Sequence, residues 1–309
     1  MRILVIGQAA FGQDVFAKLR EAGEDVVAVG APAQSLSGRA DRLRAAADAA
    51  GIPSFETAEL KEPDVRRQLA DLKPDLGVMA FVSDLIPPAV LDLPAHGTIQ
   101  YHPSLLPRHR GRSAINWAII QGDATTGVTI FWPDAGIDTG PVLLQRAVAI
   151  GPDDTVGSLY YDKLYSLGID MLLESVRLVA DGKAPKLAQD EGQATYEKPC
   201  EEPLVRIDWR RPAREVYNLV RGADPSPGAW TRLEGAKVRV LDARLQHSPA
   251  LDPGVIGLVD ESGVLVGATG GALLVRKMAG ESGPAVAATD FARERGLRPG
   301  VRFLNPKLG

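Results

Sequence analysis

Cysteine is almost missing from the 309 residues: Cys200 stands alone. That excludes an internal disulfide framework and a cysteine-built zinc cluster, and it suits a reducing compartment, so a cytoplasmic location is expected. Aromatic residues are scarce at 6%. No apolar run approaches the roughly 18 residues that a membrane span needs, and the run Ile3 to Ile6 is too short for a signal-peptide core; no membrane partner is expected. The loop Gly7-Gln8-Ala9-Ala10-Phe11-Gly12 lacks both the G-x-G-x-x-G spacing of a dinucleotide site and the Lys-Ser/Thr pair of a phosphate-binding loop. It reads as a tight strand-to-helix turn. None of the four histidines has metal-ligand spacing, so no metal is expected.

What is present describes a packed protein. Hydrophobic residues reach 45% and charged residues 24%, and the length is about twice that of a usual single domain. The net charge of -4 is uneven: residues 1–203 hold 19 Lys and Arg against 28 Asp and Glu, whereas residues 204–309 hold 16 against 11. A basic module can bind polyanions, but these arginines are scattered, which reads as a solvated surface.

Short apolar runs at Arg2 to Gly7, Asp25 to Gly30, Asp75 to Phe81, Gly97 to His102 and Gly127 to Trp132 predict strands. Helical patterns at Phe11 to Ala22, Arg39 to Ala50 and Asp64 to Leu72 lie between them. The alternation predicts an α/β fold with an open, mostly parallel, Rossmann-like sheet, whose crevice lies outside the carboxyl ends of the strands. One long helix is expected from about Thr155 to Ala180, ended by Gly182. Residues 182–203 carry Gly182, Pro185, Gly192, Pro199 and Pro203 with little periodicity, so they are expected to be a linker between a catalytic domain over 1–181 and a second domain over 204–309. In the latter, a helix over Pro212 to Arg221 precedes runs at Ala236 to Leu245, Val255 to Val259, Val264 to Gly267 and Ala272 to Val275, which predict a small C-terminal β-barrel.

Two stretches carry chemistry. In Gln100-Tyr101-His102-Pro103-Ser104-Leu105-Leu106-Pro107, prolines fix an irregular loop right after His102, so the imidazole sits at a strand's carboxyl end. In Gly127-Val128-Thr129-Ile130-Phe131-Trp132-Pro133-Asp134-Ala135-Gly136-Ile137-Asp138-Thr139-Gly140, a strand runs into a loop with a carboxylate between two glycines. Asp138 could merely close a turn. It could also meet His102 across the crevice as an acid/base pair, with the Gln100 amide two residues from the imidazole.

These two runs, together with Ile207-Asp208-Trp209 through Arg221 to Pro227-Gly228-Ala229-Trp230, resemble the formyltransferase family that uses 10-formyltetrahydrofolate. Ile6-Gly7-Gln8, Phe11-Gly12-Gln13, Arg108-His109-Arg110-Gly111 and Ala114-Ile115-Asn116-Trp117 are most similar to the family's hydrolase domain, the one found in 10-formyltetrahydrofolate dehydrogenase. The resemblance places His102 and Asp138 on the family's catalytic His and Asp, and Asp84, Leu85 and Ile86 on the segment that grips the pterin. Gln100 departs from the pattern: most transferases of the family have Asn there, and the hydrolase domain has an apolar residue. The resemblance implies 10-formyltetrahydrofolate as formyl-donating substrate. A nucleophile would add to the formyl carbon, His102 and Gln100 would donate to the oxyanion, and Asp138 would take the nucleophile's proton.

The acceptor stays open between water and a small amine such as an amino sugar. Methionyl-tRNA formyltransferases share the two-domain layout, but their basic loop after the second strand is here Ala31 to Ala40, with Arg39 as its one basic residue; transfer to tRNA is not expected. The carrier segment and aldehyde dehydrogenase domain of the dehydrogenase have no counterpart here, so a stand-alone formyl-folate hydrolase is the leading expectation. A non-catalytic folate-binding module is the alternative of another class.

Overall fold

A computed structural model describes residues 1–35, 38–247 and 251–306. The described residues gather into two compact units. The first comprises Met1–Arg112, Gly127–Val148 and Tyr161–Tyr196, and the second takes Ser113–Thr126, Ala149–Tyr160 and the chain from Glu197 onward.

Seven strands form the sheet of the first unit: β1 (Arg2–Gly7), β2 (Asp25–Ala31), β3 (Ser54–Glu56), β4 (Leu76–Ala80), β5 (Thr98–His102), β6 (Thr125–Phe131) and β7 (Val142–Ala149). Their order is β3-β2-β1-β4-β5-β6-β7. The pairings from β3 to β5 are parallel, and β6 runs antiparallel to β5. Helices α1 (Ala9–Glu21), α2 (Arg42–Ala49), α3 (Pro63–Asp71) and the short α4 (Pro88–Leu91) connect the parallel strands. Strand order reverses between β1 and β4, the switch point at which such sheets open a crevice. Buried apolar strand residues such as Ile3 to Ile6 and Val78 explain the sheet's near-continuous hydrophobic runs.

One carboxylate organises the switch point. Asp41 is 2% exposed, caps α2 by accepting the Leu43 amide at 2.9 Å, and accepts the Ala9 amide at the start of α1 at 2.8 Å. That cap explains why α2 begins at Arg42 rather than at Arg39. The glycines of the first turn serve packing: a Cβ on Gly7 would lie 2.4 Å from the Ala80 carbonyl oxygen.

The helical run after Asp154 is less uniform than its periodicity predicts. Short α6 (Val156–Leu159) passes through a π-type turn at Tyr160–Leu164 into α7 (Tyr165–Ala180). Gly168 on α7 lets the Tyr101 ring approach, where a Cβ would lie 2.4 Å from it, and Phe11 packs on Tyr101 with ring centroids 4.5 Å apart. Because side chains alternate along a strand, burying Tyr101 in this way sends Gln100 and His102 to the opposite face.

In the second unit, α5 (Ala114–Ile120) and α8 (Ala213–Gly222) accompany an antiparallel sheet of β8 (Trp230–Leu233), β9 (Ala236–Gln246), β10 (Ile256–Asp260), β11 (Gly263–Ala268), β12 (Gly271–Gly280) and β13 (Val286–Ala287), followed by α9 (Ala288–Arg295). Its core holds Trp209, Tyr217 and Phe303, with the Trp209 and Phe303 rings stacked at 5.9 Å. The antiparallel sheet is as expected. No ladder among the described residues joins β8 to β10 to close the expected barrel; instead Leu304 bridges to Arg232 on β8, and Arg302 bridges to Val255 just before β10.

Candidate active site

His102 ends β5, and the loop after it is clamped from several sides. The Thr129 hydroxyl, opposite His102 in the register, donates to the Ser104 carbonyl at 2.7 Å and accepts the Leu106 amide at 3.2 Å. Gln145 on β7 donates to the Leu106 carbonyl at 2.9 Å, and the Ser104 hydroxyl donates to the Arg108 carbonyl at 2.7 Å. The loop then folds back so that His102 Nε2 donates to the carbonyl oxygen of His109 at 2.8 Å.

Nδ1 of the same ring lies 3.5 Å from Asp138 Oδ2, with both side chains buried. Asp138 has φ of 56°, a left-handed conformation that costs a non-glycine residue about 1 kcal/mol or more. The expense follows from a division of labour. Asp134 closes the turn by accepting from the Gly136 amide at 3.0 Å and the Thr139 hydroxyl at 2.6 Å, and Asp138 Oδ2 accepts the Gly111 amide at 2.8 Å. Oδ1 of Asp138 has no hydrogen-bond partner among the described residues. Gly140 has to be glycine, since a Cβ there would meet the Trp132 carbonyl oxygen at 1.7 Å.

His102 and Asp138 face a cavity of about 220 Å³. The other sequence-predicted site residues line it too: Gln100 on the His102 face of β5, and Asp84, Leu85 and Ile86 after β4. Ile86 is 3% exposed and anchors that segment, Leu85 is 82% exposed, and Asp84 accepts a hydrogen bond from the Thr57 hydroxyl at 2.9 Å. All six residues singled out by the sequence therefore meet at one cavity. Among the described residues, no group of three or more His, Cys, Asp and Glu side chains is placed to hold a metal ion, and no helix is long and apolar enough to cross a membrane.

Three residues that sequence reasoning missed brace this site, and all lie in the segment expected to be a linker. Thr195 accepts the His109 amide through its hydroxyl at 2.8 Å and the Arg110 amide through its carbonyl at 3.1 Å. Gln189 donates to the carbonyls of Asp138 at 2.9 Å and Gly140 at 2.7 Å. Glu191 and Gln189 together receive the buried Arg110 guanidinium, at 2.6 and 2.8 Å. The hydrogen bond with Arg110 draws the Glu191 carboxyl below its ordinary range and raises the guanidinium. Nothing in the composition around these residues marks them, because their partners are distant in sequence.

The family profile for formyl transferases matches residues 1–176, and that for the formyl transferase C-terminal domain matches residues 203–296. Human (Homo sapiens) cytosolic 10-formyltetrahydrofolate dehydrogenase is 40% identical over 306 residues, covering 94% of this chain and 34% of its own, so the chain spans about a third of that relative's length. Methionyl-tRNA formyltransferase of Geobacter metallireducens is 34% identical over 308 residues, 98% of each chain. Among solved structures, HypX from Aquifex aeolicus in complex with tetrahydrofolic acid superposes with a TM-score of 0.70 at 22% identity, over 95% of this chain and 47% of that one, a likeness of fold. The chain is an enzyme of the formyl transferase family.

Proposed function

We propose that this enzyme hydrolyses 10-formyltetrahydrofolate to tetrahydrofolate and formate. The observation that carries the proposal is the buried His102–Asp138 pair at the wall of a cavity that also exposes Gln100. Water adds to the formyl carbon while Asp138, through its unengaged Oδ1, takes the water's proton. The oxyanion that develops is met by the Gln100 amide and, when the ring is doubly protonated, by His102 Nδ1–H; fixed donors of this kind contribute roughly 3 to 4 kcal/mol each. The proton held by Asp138 then passes to the folate nitrogen as the C–N bond breaks, which leaves tetrahydrofolate and formic acid, and the acid releases its remaining proton to solvent as formate. Asp84, Leu85 and Ile86 would hold the pterin.

The greater identity to the dehydrogenases than to methionyl-tRNA formyltransferase supports water as acceptor. A second reading, transfer to a small amine, is favoured by Gln100 itself, whose amide supplies the kind of donor that transferases of the family place there. Incubating the purified protein with 10-formyltetrahydrofolate alone and assaying formate separates the two. Stoichiometric formate without added amine is expected; folate left intact until an amine is supplied would overturn hydrolysis.

A further inference from the structure

A second cavity, of about 740 Å³, adjoins the first and shares with it Phe81 to Asp84 and Arg112. Gln8 and Asp41 line its far side, outside the carboxyl end of β1. Arg112 is the only lysine or arginine lining either cavity among the described residues. It is exposed, follows directly on the Gly111 amide that holds Asp138, and has no hydrogen-bond or ion-pair partner among the described residues.

The remaining charges in the second cavity are already engaged. Asp84 receives the Thr57 hydroxyl, and the Asp41 carboxylate receives the Ala9 amide. The start of α1, where an α/β fold can seat a phosphate, is thus occupied by the chain's own carboxylate, and a dianion there would face Asp41. A carboxylate at the near side, which Arg112 shares with Asp84, meets one planar guanidinium, the geometry that arginine binds in a two-pronged fashion.

We infer that Arg112 is a carboxylate-binding residue set in the wall between the two cavities, pairing with the carboxylate of a ligand that reaches into the second. The inference rests on the folate reading above. The first cavity is small beside the roughly 300 to 1,000 Å³ of ordinary ligand pockets, so a folate has to extend beyond it. Its glutamyl tail is one source of the carboxylate; a carboxylate-bearing amine acting as acceptor is the other.

Calorimetric titration of wild type, Arg112→Ala and Arg112→Lys with 5-formyltetrahydrofolate, and with its analogue lacking the glutamate, tests the inference. If the tail is the source, wild type binds the full folate about tenfold tighter than the analogue, Arg112→Ala erases the difference, and Arg112→Lys restores part of it. If an acceptor is the source, the two folates bind alike, while in a separate turnover assay an α-amino acid, but not its carboxamide, accelerates loss of the formyl group of 10-formyltetrahydrofolate in wild type and not in Arg112→Ala. Equal binding of both folates by all three proteins, with no amine effect that depends on Arg112, overturns the inference and leaves folate hydrolysis standing. Failure of wild type to bind either folate defeats the folate reading itself.

Discussion

His102 donates through Nε2 to the carbonyl oxygen of His109, and this turns Nδ1 toward Asp138. A carbonyl oxygen only accepts, so the hydrogen is fixed on Nε2. Nδ1 donates to an oxyanion only from the doubly protonated ring, whose charge then lies against the Asp138 carboxylate. His102→Gln is expected to lower kcat by about a hundredfold or more, and Asp138→Asn by about a hundred- to ten-thousandfold, with folate affinity nearly retained. Steady-state kinetics beside calorimetric binding and circular dichroism check this, and near-normal turnover in either variant would return that residue to a structural role.

In the proposed hydrolysis, Gln100 would be the donor that β5 offers the oxyanion. Gln100→Ile, which removes the amide, should slow formate release about ten- to a hundredfold if that amide reaches the oxyanion. Gln100→Asn shortens the arm by one methylene and should lose less. Unchanged formate release in Gln100→Ile would show that the amide turns away, leaving His102 as the working donor.

Arg110 acts at one remove, through the loop that carries His109 and Gly111. Arg110→Met leaves Gln189 and Glu191 without their cation and should reduce kcat on the order of tenfold by letting the Gly111 amide drift from Asp138. Glu191→Gln, which keeps a hydrogen-bond acceptor, should recover most of the wild-type rate. A loss of thermal stability with kcat unchanged would mark the cluster as a brace for folding alone.

Cys200 is half-buried, and burial pushes its thiol up to about 11. A raised thiol pKa keeps the neutral form dominant below that value, so the thiolate at pH 7.5 is on the order of one part in a few thousand. Alkylation by iodoacetamide is expected to be slow at pH 7.5 and to accelerate as pH rises toward 10, as mass spectrometry of the intact protein can follow. Rapid modification at neutral pH would contradict this environment.

The strongest elements were legible for local reasons. β5 and its loop announce themselves through an apolar run stopped by Pro103 and Pro107 after His102, and the Asp138 turn through Gly136 and Gly140. β3 escapes because three residues, Ser54–Glu56, set no period, and β7 because it lies at the sheet edge with Gln145, Arg146 and Ala147 all exposed in the middle of its run. The antiparallel direction of β6 depends on which strand Phe131 meets, information that pairing supplies and periodicity does not. The same holds for Gln189, Glu191 and Thr195, whose value lies wholly in contacts about 50 to 86 residues away in sequence.

The double hydrogen bond from Gln189 to the Asp138 and Gly140 carbonyls bears on how the protein can be shortened. A fragment that stops at residue 181, where the glycine after α7 invites a cut, retains every side chain that lines the first cavity. It discards the amide that holds the left-handed Asp138 turn and the carboxylate that receives Arg110. Such a fragment would keep the reagents and lose the vice that grips them, so its residual rate, compared with that of a fragment extended through Tyr196, measures how much of the enzyme's power resides in holding rather than in chemistry.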